Sequence, residues 1–155
     1  IEAHSYIAGR DMQGVHSRGV DRSQRLSCCY LRQRRVTKSK VDGQGTAASF
    51  NDPTNIVIDS SDNIFVAEYG SSTIRKITPS GVVSTFAGTG SPGQTDANGT
   101  SATFDSPYGM VFDADSNMYV ADYGNQLIRK IKPNGDVTIL YNAMTANKNI
   151  IAVKI

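Results

Sequence analysis

Short apolar runs separated by turn-forming residues dominate the chain from Pro53 onward. Apolar side chains at successive positions indicate strands that are buried on both faces, and clusters of Asp, Asn, Ser, Pro and Gly are typical of tight turns. The pattern predicts four strands, which are Ile56–Ile58, Ile64–Ala67, Thr73–Thr78 and Val82–Ala87. Four strands joined by such turns form one small antiparallel sheet.

The same pattern occurs a second time, 54 positions further along the chain. Between residues 42–87 and 96–141, 20 of the 46 aligned positions are identical. The second copy again predicts four strands, which are Met110–Asp113, Asn117–Ala121, Leu127–Lys132 and Asp136–Tyr141. An internal repeat of this length indicates structural units that bury their apolar faces against one another.

Burial on both faces predicts how the units are arranged. A sheet with one solvated face alternates apolar and polar residues, whereas these strands do not, so each unit is expected to lie between neighbours. Four-stranded blades around the axis of a β-propeller have this arrangement. The predicted fold is therefore all-β, with two four-stranded antiparallel blades in a partial or oligomer-completed propeller or an open stack. The residues predicted to pack between blades are Phe50, Phe104, Tyr69, Tyr123, Val66 and Val120.

A set of spaced residues in the second copy resembles the NHL repeat, a blade type of usually six-bladed propellers. The set comprises Phe104, Pro107, Gly109, Asp113, Asn117, Tyr119, Val120, Ala121, Asp122, Gly124, Asn125 and Ile128. The first copy is similar but looser, with Asn55, Glu68 and Ser71 at the glycine, aspartate and asparagine positions. The resemblance covers residues 42–141. It implies a propeller scaffold, and some propellers of this kind are lyases, lactonases or hydrolases.

One family feature is displaced. Many family members carry an arginine directly before the isoleucine, where this chain has Thr73 and Leu127. Arg75 and Arg129 follow the isoleucine instead, so no function of the family arginine is transferred to them.

The other motif residues have scaffold roles. Gly70 and Gly124 suit turns that require a positive φ, because glycine has no Cβ to clash there. Asp122 and Asn125 are expected to hydrogen-bond the backbone of the adjacent turn.

Charge divides the chain into segments. Residues 1–41 contain nine Lys or Arg and three Asp or Glu, whereas residues 42–155 contain seven and eleven. We interpret 1–41 as a basic, non-repeat arm, 42–95 as the first blade with its connecting loop, 96–141 as the second blade, and 142–155 as a strand-like tail. The basic run 32–40 favours a solvated or partner-pairing arm over nucleic-acid binding, because no nucleic-acid module accompanies it.

Two covalent features are candidates for modification. Cys28 and Cys29 are adjacent and could pair with each other only in a strained ring, so free thiols or disulfides to another chain are favoured. Asn98, followed by Gly99 and Thr100, forms an N-glycosylation sequon in an exposed loop, which predicts a glycan if the chain is secreted.

Catalytic and metal-binding patterns are weak. His4 and His16 are the only histidines and both precede the repeats, so neither a zinc triad nor an activated nucleophile is predicted in the blades. The run 113–117 begins like a calcium loop, but Met118 and Gly124 replace its glycine and glutamate. We expect no catalytic residue, no metal and no cofactor, and no apolar run is long enough for a membrane span.

Propellers close with about 4 to 8 blades, and this chain has two. The uncovered sheet faces predict a non-enzymatic structural or interaction module that assembles with copies of itself, as a ring or an extracellular filament, or with further blades. The alternative is a fragment of a six-bladed propeller that binds a protein, glycan or nucleic acid. An NHL-type lyase or hydrolase is less favoured. The expected location is extracellular or at the cell surface.

Overall fold

The computed structural model describes residues 40–142, which form two antiparallel sheets. The first sheet contains β1 (Gly43–Gln44), β2 (Pro53–Ile58), β3 (Ile64–Glu68), β4 (Thr73–Ile77) and β5 (Val82–Ala87). The second contains β6 (Ala97–Asn98), β7 (Pro107–Phe112), β8 (Met118–Asp122), β9 (Leu127–Ile131) and β10 (Asp136–Asn142). Single 3-10 turns at Gly45–Ala47 and Gly99–Ser101 follow β1 and β6. The predictions for Cys28, Cys29, most of the basic arm and most of the tail lie outside this range.

The all-β prediction is confirmed, but each sheet has one strand more than the sequence predicted. The strand orders are β1-β5-β4-β3-β2 and β6-β10-β9-β8-β7, so a two-residue strand completes the outer edge of each sheet. Gly43 pairs with Val83 and Gln44 with Val82. These short strands have no apolar pattern of their own. They form because the segment before each sheet runs alongside the last long strand of that sheet. There β1 pairs with β5, and β6 pairs with β10.

The turns repeat their backbone conformation even where their residues differ. Left-handed φ values recur in pairs 54 residues apart, at Asp52 and Ser106, Asp62 and Ser116, and Ser72 and Gln126. The β2–β3 turn is held by Asp59, whose Oδ1 accepts hydrogen bonds of 2.9 Å from the backbone amides of Ser61 and Asn63. Asp113 does the same for Asp115 and Asn117 at 3.0 and 2.8 Å. The Asp-rich segments are therefore hairpin turns.

The explanation predicted for Gly70 and Gly124 is wrong. Neither glycine has a positive φ, and the left-handed positions of these turns are occupied by Ser72 and Gln126. Glycine is needed for a different reason, which is close approach. A Cβ on Gly70 would lie 2.5 Å from the Asn51 side chain, and one on Gly124 would clash in the same way with Asp105.

A buried arginine lies at the centre of the first unit. Arg75 is fully buried on β4, and its guanidinium stacks on the Phe50 ring with Cζ 5.3 Å from the ring centroid. Its hydrogen-bond acceptors are Glu68 at 3.2 Å, Asp42 at 2.5 Å, and the carbonyl oxygens of Val41 at 3.0 Å and Ser49 at 3.1 Å. Three of these acceptors and Phe50 belong to residues 41–51, which we call the first strap. Arg75 therefore fastens the strap to the sheet.

The second unit repeats this arrangement around Arg129, whose Cζ lies 5.1 Å from the centroid of the Phe104 ring. The acceptors are Asp122 at 3.1 Å, Asp96 at 2.8 Å, and the carbonyl oxygens of Thr95 at 3.0 Å and Thr103 at 2.8 Å. Residues 95–105 form the second strap. A carboxylate from the sheet and one from the strap thus compensate each buried guanidinium, as a charge removed from water requires.

Burial raises the pKa of Asp122, and hydrogen bonds from Asn125, the Asp105 amide and Arg129 oppose that rise. For Asp42, burial acts in the same direction. There the Thr85 amide and the Arg75 charge outweigh it and hold the pKa of Asp42 below its ordinary 3.8.

We expect Arg129→Met to reduce the free energy of unfolding by about 3–5 kcal/mol, because it leaves the buried Asp122 carboxylate without its cation. Urea denaturation measures this change. Adding Asp122→Asn removes the unpaired carboxylate charge and is expected to recover part of the lost free energy of unfolding. The effects of the two substitutions are therefore not additive. Lys132→Met, at an exposed position, is the matched control. A loss in Arg129→Met no larger than in this control would contradict the role assigned to Arg129.

A pH dependence follows from Asp42. A carboxyl whose folded pKa is lowered contributes stability above its unfolded pKa and loses it as the pH falls through the folded value. We expect Asp42→Asn to destabilise the chain at pH 6–7 and the difference from wild type to shrink below about pH 4. Urea denaturation across this range measures it, with Asp115→Asn on an exposed turn as the control. A difference that stays constant down to pH 2 would contradict the assignment.

Candidate functional site

The two units of the described part of the chain pack against each other. One apolar cluster joins them, with β2 and β3 of the first sheet against β7 of the second. From the first sheet it includes Phe65, Ala67, Ile74 and Ala87; from the second unit it includes Ala102, Phe104, Met110, Met118, Val120, Ile131 and Val137. Phe65 meets Phe112 edge to face, with 5.4 Å between the ring centroids. The second unit thus covers one face of the first sheet, which we call its back.

Polar contacts fix the position of this interface. The Thr54 hydroxyl lies 3.1 Å from the carbonyl oxygen of Pro107 and 3.0 Å from that of Tyr108, to which it donates. The side-chain oxygen of Asn55 accepts a 3.1 Å hydrogen bond from the Met110 amide. These contacts hold the two inner strands, β2 and β7, beside each other.

The back of the second sheet has no such cover within residues 40–142. The residues 54 positions after Phe65, Ile74, Phe86 and Ala87 are Tyr119, Ile128, Leu140 and Tyr141. Phe65 is 4 % exposed, and Ile74 and Ala87 are fully buried. By contrast, Leu140 is 55 % and Tyr141 43 % exposed. We call this set the open back, and it is the candidate interaction surface of the chain.

The open back keeps the side-chain arrangement of the covered one. The Lys76 Nζ lies 5.7 Å from the Phe65 ring centroid, and the Lys130 Nζ lies 5.5 Å from that of Tyr119. The Tyr119 hydroxyl donates a 3.0 Å hydrogen bond to Asp113, which fixes the ring in place. The surface is therefore preorganised rather than an accidental apolar exposure.

The strap side of the first unit, which we call its front, is also less covered than its equivalent. Met110 on β7 is buried in the contact between the units, whereas the equivalent Ile56 on β2 is half-buried. All six residues of β2 are half-buried, while β7 includes three buried ones. The back of the first unit meets the front of the second, and residues 40–142 leave the other front and the other back without such a neighbour.

Four of the residues that the sequence selected for packing lie in the interior. Phe104 and Val120 belong to the cluster that joins the units. Phe50 and Val66 belong to a separate cluster beneath the first strap.

The two tyrosines lie elsewhere. Tyr69 is 41 % exposed. Tyr123 packs against Tyr108 of its own unit, with 6.2 Å between the ring centroids. Tyr69 and Tyr123 therefore take no part in the apolar contact between the two described units.

Asn98 lies exposed on β6, and its side-chain nitrogen donates hydrogen bonds to the Asn134 carbonyl at 2.9 Å and to Asp136 at 3.0 Å. The hydrogen bond from Asn98 to Asp136, together with one from the Asn134 side chain, lowers the pKa of Asp136. A glycan on Asn98 stays a prediction. In residues 40–142, no group of three or more His, Cys, Asp or Glu side chains is placed to hold a metal ion. No helix among the described residues is long and apolar enough to cross a membrane.

Sequence reasoning missed the buried charge networks. Both arginines were noted only as departures from a family pattern, and their carboxylate partners were not connected to them. A signal was present, because all three members of the network recur 54 residues apart: Asp42 and Asp96, Glu68 and Asp122, and Arg75 and Arg129. A charge that recurs inside a buried strand indicates a compensated ion pair.

No protein-family model matches the chain, and no curated protein matches it either. Among solved structures, it resembles an auxiliary nutrient binding protein from Bacteroides thetaiotaomicron VPI-5482, with 28% identity and a TM-score of 0.56 over 68% of this chain and 27% of that one. A second auxiliary nutrient binding protein, from Bacteroides ovatus ATCC 8483, has 26% identity and a TM-score of 0.57 over 70% and 28%. Virginiamycin B lyase from Staphylococcus aureus has 23% identity and a TM-score of 0.48 over 64% and 30%.

These neighbours are β-propeller-like proteins. The two units are propeller blades. The chain spans about a quarter of the length of each nutrient binding protein. It is therefore similar to one part of a propeller, which agrees with the presence of one covered and one open back.

Replacing the hydroxyl that ties the blades together tests their contact. We expect Thr54→Val to lower the free energy of unfolding by about 1 kcal/mol, because the carbonyl oxygen of Tyr108 loses its donor. Thr138→Val, at an exposed position of β10, is the matched control. Equal urea midpoints for these two variants would show that the hydroxyl does not stabilise the contact.

Proposed function

We propose that this chain is a non-enzymatic interaction module of NHL-type blades that stacks with further blades, including copies of itself, through its open back. One observation carries the proposal. In the first blade, where a neighbour covers them, Phe86 is half-buried and Ala87 fully buried, whereas the equivalent Leu140 and Tyr141 of the second blade are exposed. A blade surface built for a neighbour is the most specific interaction feature of the described residues.

The energetics support an occupied surface. Burial of apolar area contributes roughly 25 cal/mol per Å², so covering ~300 Å² of the open back stabilises a contact by about 7 kcal/mol before the cost of association. Large exposed apolar patches with a polar rim mark interaction sites in soluble proteins. Lys130 and Asp113 supply such a rim around Tyr119.

A non-enzymatic role is supported by what the buried charged groups do. Arg75 and Arg129 use their guanidinium groups to hold the straps, and Glu68 and Asp122 are their partners. Asp59 and Asp113 hold hairpin turns. These groups therefore have scaffold roles. We place the module outside the cell or at its surface, where the sequon at Asn98 would be used.

A second candidate function is ligand binding by a closed propeller of which this chain supplies two blades. The observation that favours it is the similarity, at 26–28% identity, to solved structures that are auxiliary nutrient binding proteins. The ligand of such a propeller would be a small molecule, a glycan, a protein or a nucleic acid. A folded chain that stays monomeric at high concentration would favour this candidate over self-assembly.

Sedimentation velocity over a concentration series tests the proposal. We expect the wild-type chain to form oligomers at micromolar concentration. Leu140→Lys is expected to raise the dissociation constant by about tenfold or more, because it places a charge within the apolar contact. Ala114→Lys adds the same charge on an exposed hairpin turn and serves as the control.

Circular dichroism of both variants checks that their sheets are intact. A wild-type chain that remains a compact monomer throughout the series would contradict the proposal. Electron microscopy of the assembled fraction then distinguishes rings from fibres.

A further inference from the structure

The contact between the two blades is directional, since the back of the first meets the strap side of the second. We infer that a second copy of this chain docks in the same direction, with its front against the open back. This inference rests on the proposed function and names its partner and its geometry. The alternative, two open backs facing each other, would bring together surfaces that meet nowhere in the described part of the chain.

At three positions the open back keeps the residue type of the covered one. Phe65 and Tyr119 are both aromatic, Ile74 and Ile128 are identical, and Ala67 and Ala121 are identical. Phe86, whose ring centroid lies 4.9 Å from that of Phe65, is replaced by Leu140, and the fully buried Ala87 is replaced by the larger Tyr141. The three shared positions, at Phe65, Ala67 and Ile74 of the first blade, belong to the cluster that contacts the strap side of the second blade.

The front of the first blade supplies the receiving half. In the internal contact, Phe112 and Met110 on β7 meet the first sheet. Their equivalents on β2 are Ile58 and Ile56, which are apolar and half-buried. The first strap is clamped by Arg75 as the second is by Arg129, so the two fronts also share a backbone framework.

The two contacts differ in their polar groups. Thr54 and Asn55 tie the blades inside the chain, but Tyr108 and Gly109 occupy those positions in the second blade. Gly109 has no side chain to accept the hydrogen bond that Asn55 accepts, and the hydroxyl of Tyr108 lies at the far end of a ring rather than beside the backbone as in Thr54. The contact between copies is therefore weaker than the internal one and depends on protein concentration.

The equivalence identifies which residues of the two copies should meet. Since Phe65 meets Phe112 inside the chain, Tyr119 of one copy is expected to meet Ile58 of the next. Chains with Tyr119→Cys or Ile58→Cys, both in a Cys28→Ser/Cys29→Ser background, can be treated with a short bismaleimide cross-linker separately and as an equimolar mixture. Head-to-tail docking predicts a covalent dimer in the mixture and none in either chain alone. Phe65→Cys/Phe112→Cys within one chain calibrates the reach of the cross-linker.

Three results would overturn the inference, and they are distinguishable. A dimer from the Tyr119→Cys chain alone would show docking back to back. No dimer in the mixture, while both chains sediment as oligomers, would place the contact elsewhere and leave the proposed function standing. No dimer and no oligomers of the wild-type chain would overturn the proposed function together with this inference. Circular dichroism and sedimentation of each cysteine chain exclude misfolding as the cause.

Discussion

The buried arginine of each blade is the interaction on which the rest of the structure depends. A guanidinium offers several donors in a fixed plane, so a single side chain can bind the sheet carboxylate, the strap carboxylate and two strap carbonyls at once. Arg75 does this for segments that are 33 residues apart in the chain, measured to Asp42. Because the group is removed from water, each missing acceptor would leave part of its charge uncompensated. Release of the strap would leave the buried guanidinium partly unpaired, and this free-energy cost holds the strap in place.

The clamp also builds the surface that blades use to meet. Arg129 stacks on Phe104, and Phe104 belongs to the apolar cluster that joins the two sheets. The ion pair is thus the support for an apolar contact, and the same support stands beneath Phe50 on the front of the first blade. Charge burial and blade stacking are therefore coupled through Phe104.

Repetition explains why residues 40–142 leave two blade surfaces uncovered. Each blade carries a front and a back, and one front and one back are used internally. The other two remain, and the residues at the open back are still those of a contact surface. One substitution that distinguishes the copies lies where their contacts differ: Ala87 is small where a neighbour packs, whereas the equivalent Tyr141 is large and 43 % exposed. Directional stacking of this kind yields rings when the rotation closes and filaments when it does not.

The amino-acid sequence by itself determined the repeat, the all-β class and the four long strands of each blade, because these depend on local apolar periodicity and turn residues. It also selected Phe50 and Phe104 as interior residues. Only the tertiary structure decided the fifth strand, the role of Gly70 as a point of close approach, and the partners of Arg75. Each of these depends on the strap crossing the sheet, which brings together residues distant in the chain. Local sequence patterns carry no information about such crossings. The crossing is fixed by the buried arginine, because a charge removed from water requires partners from the strap.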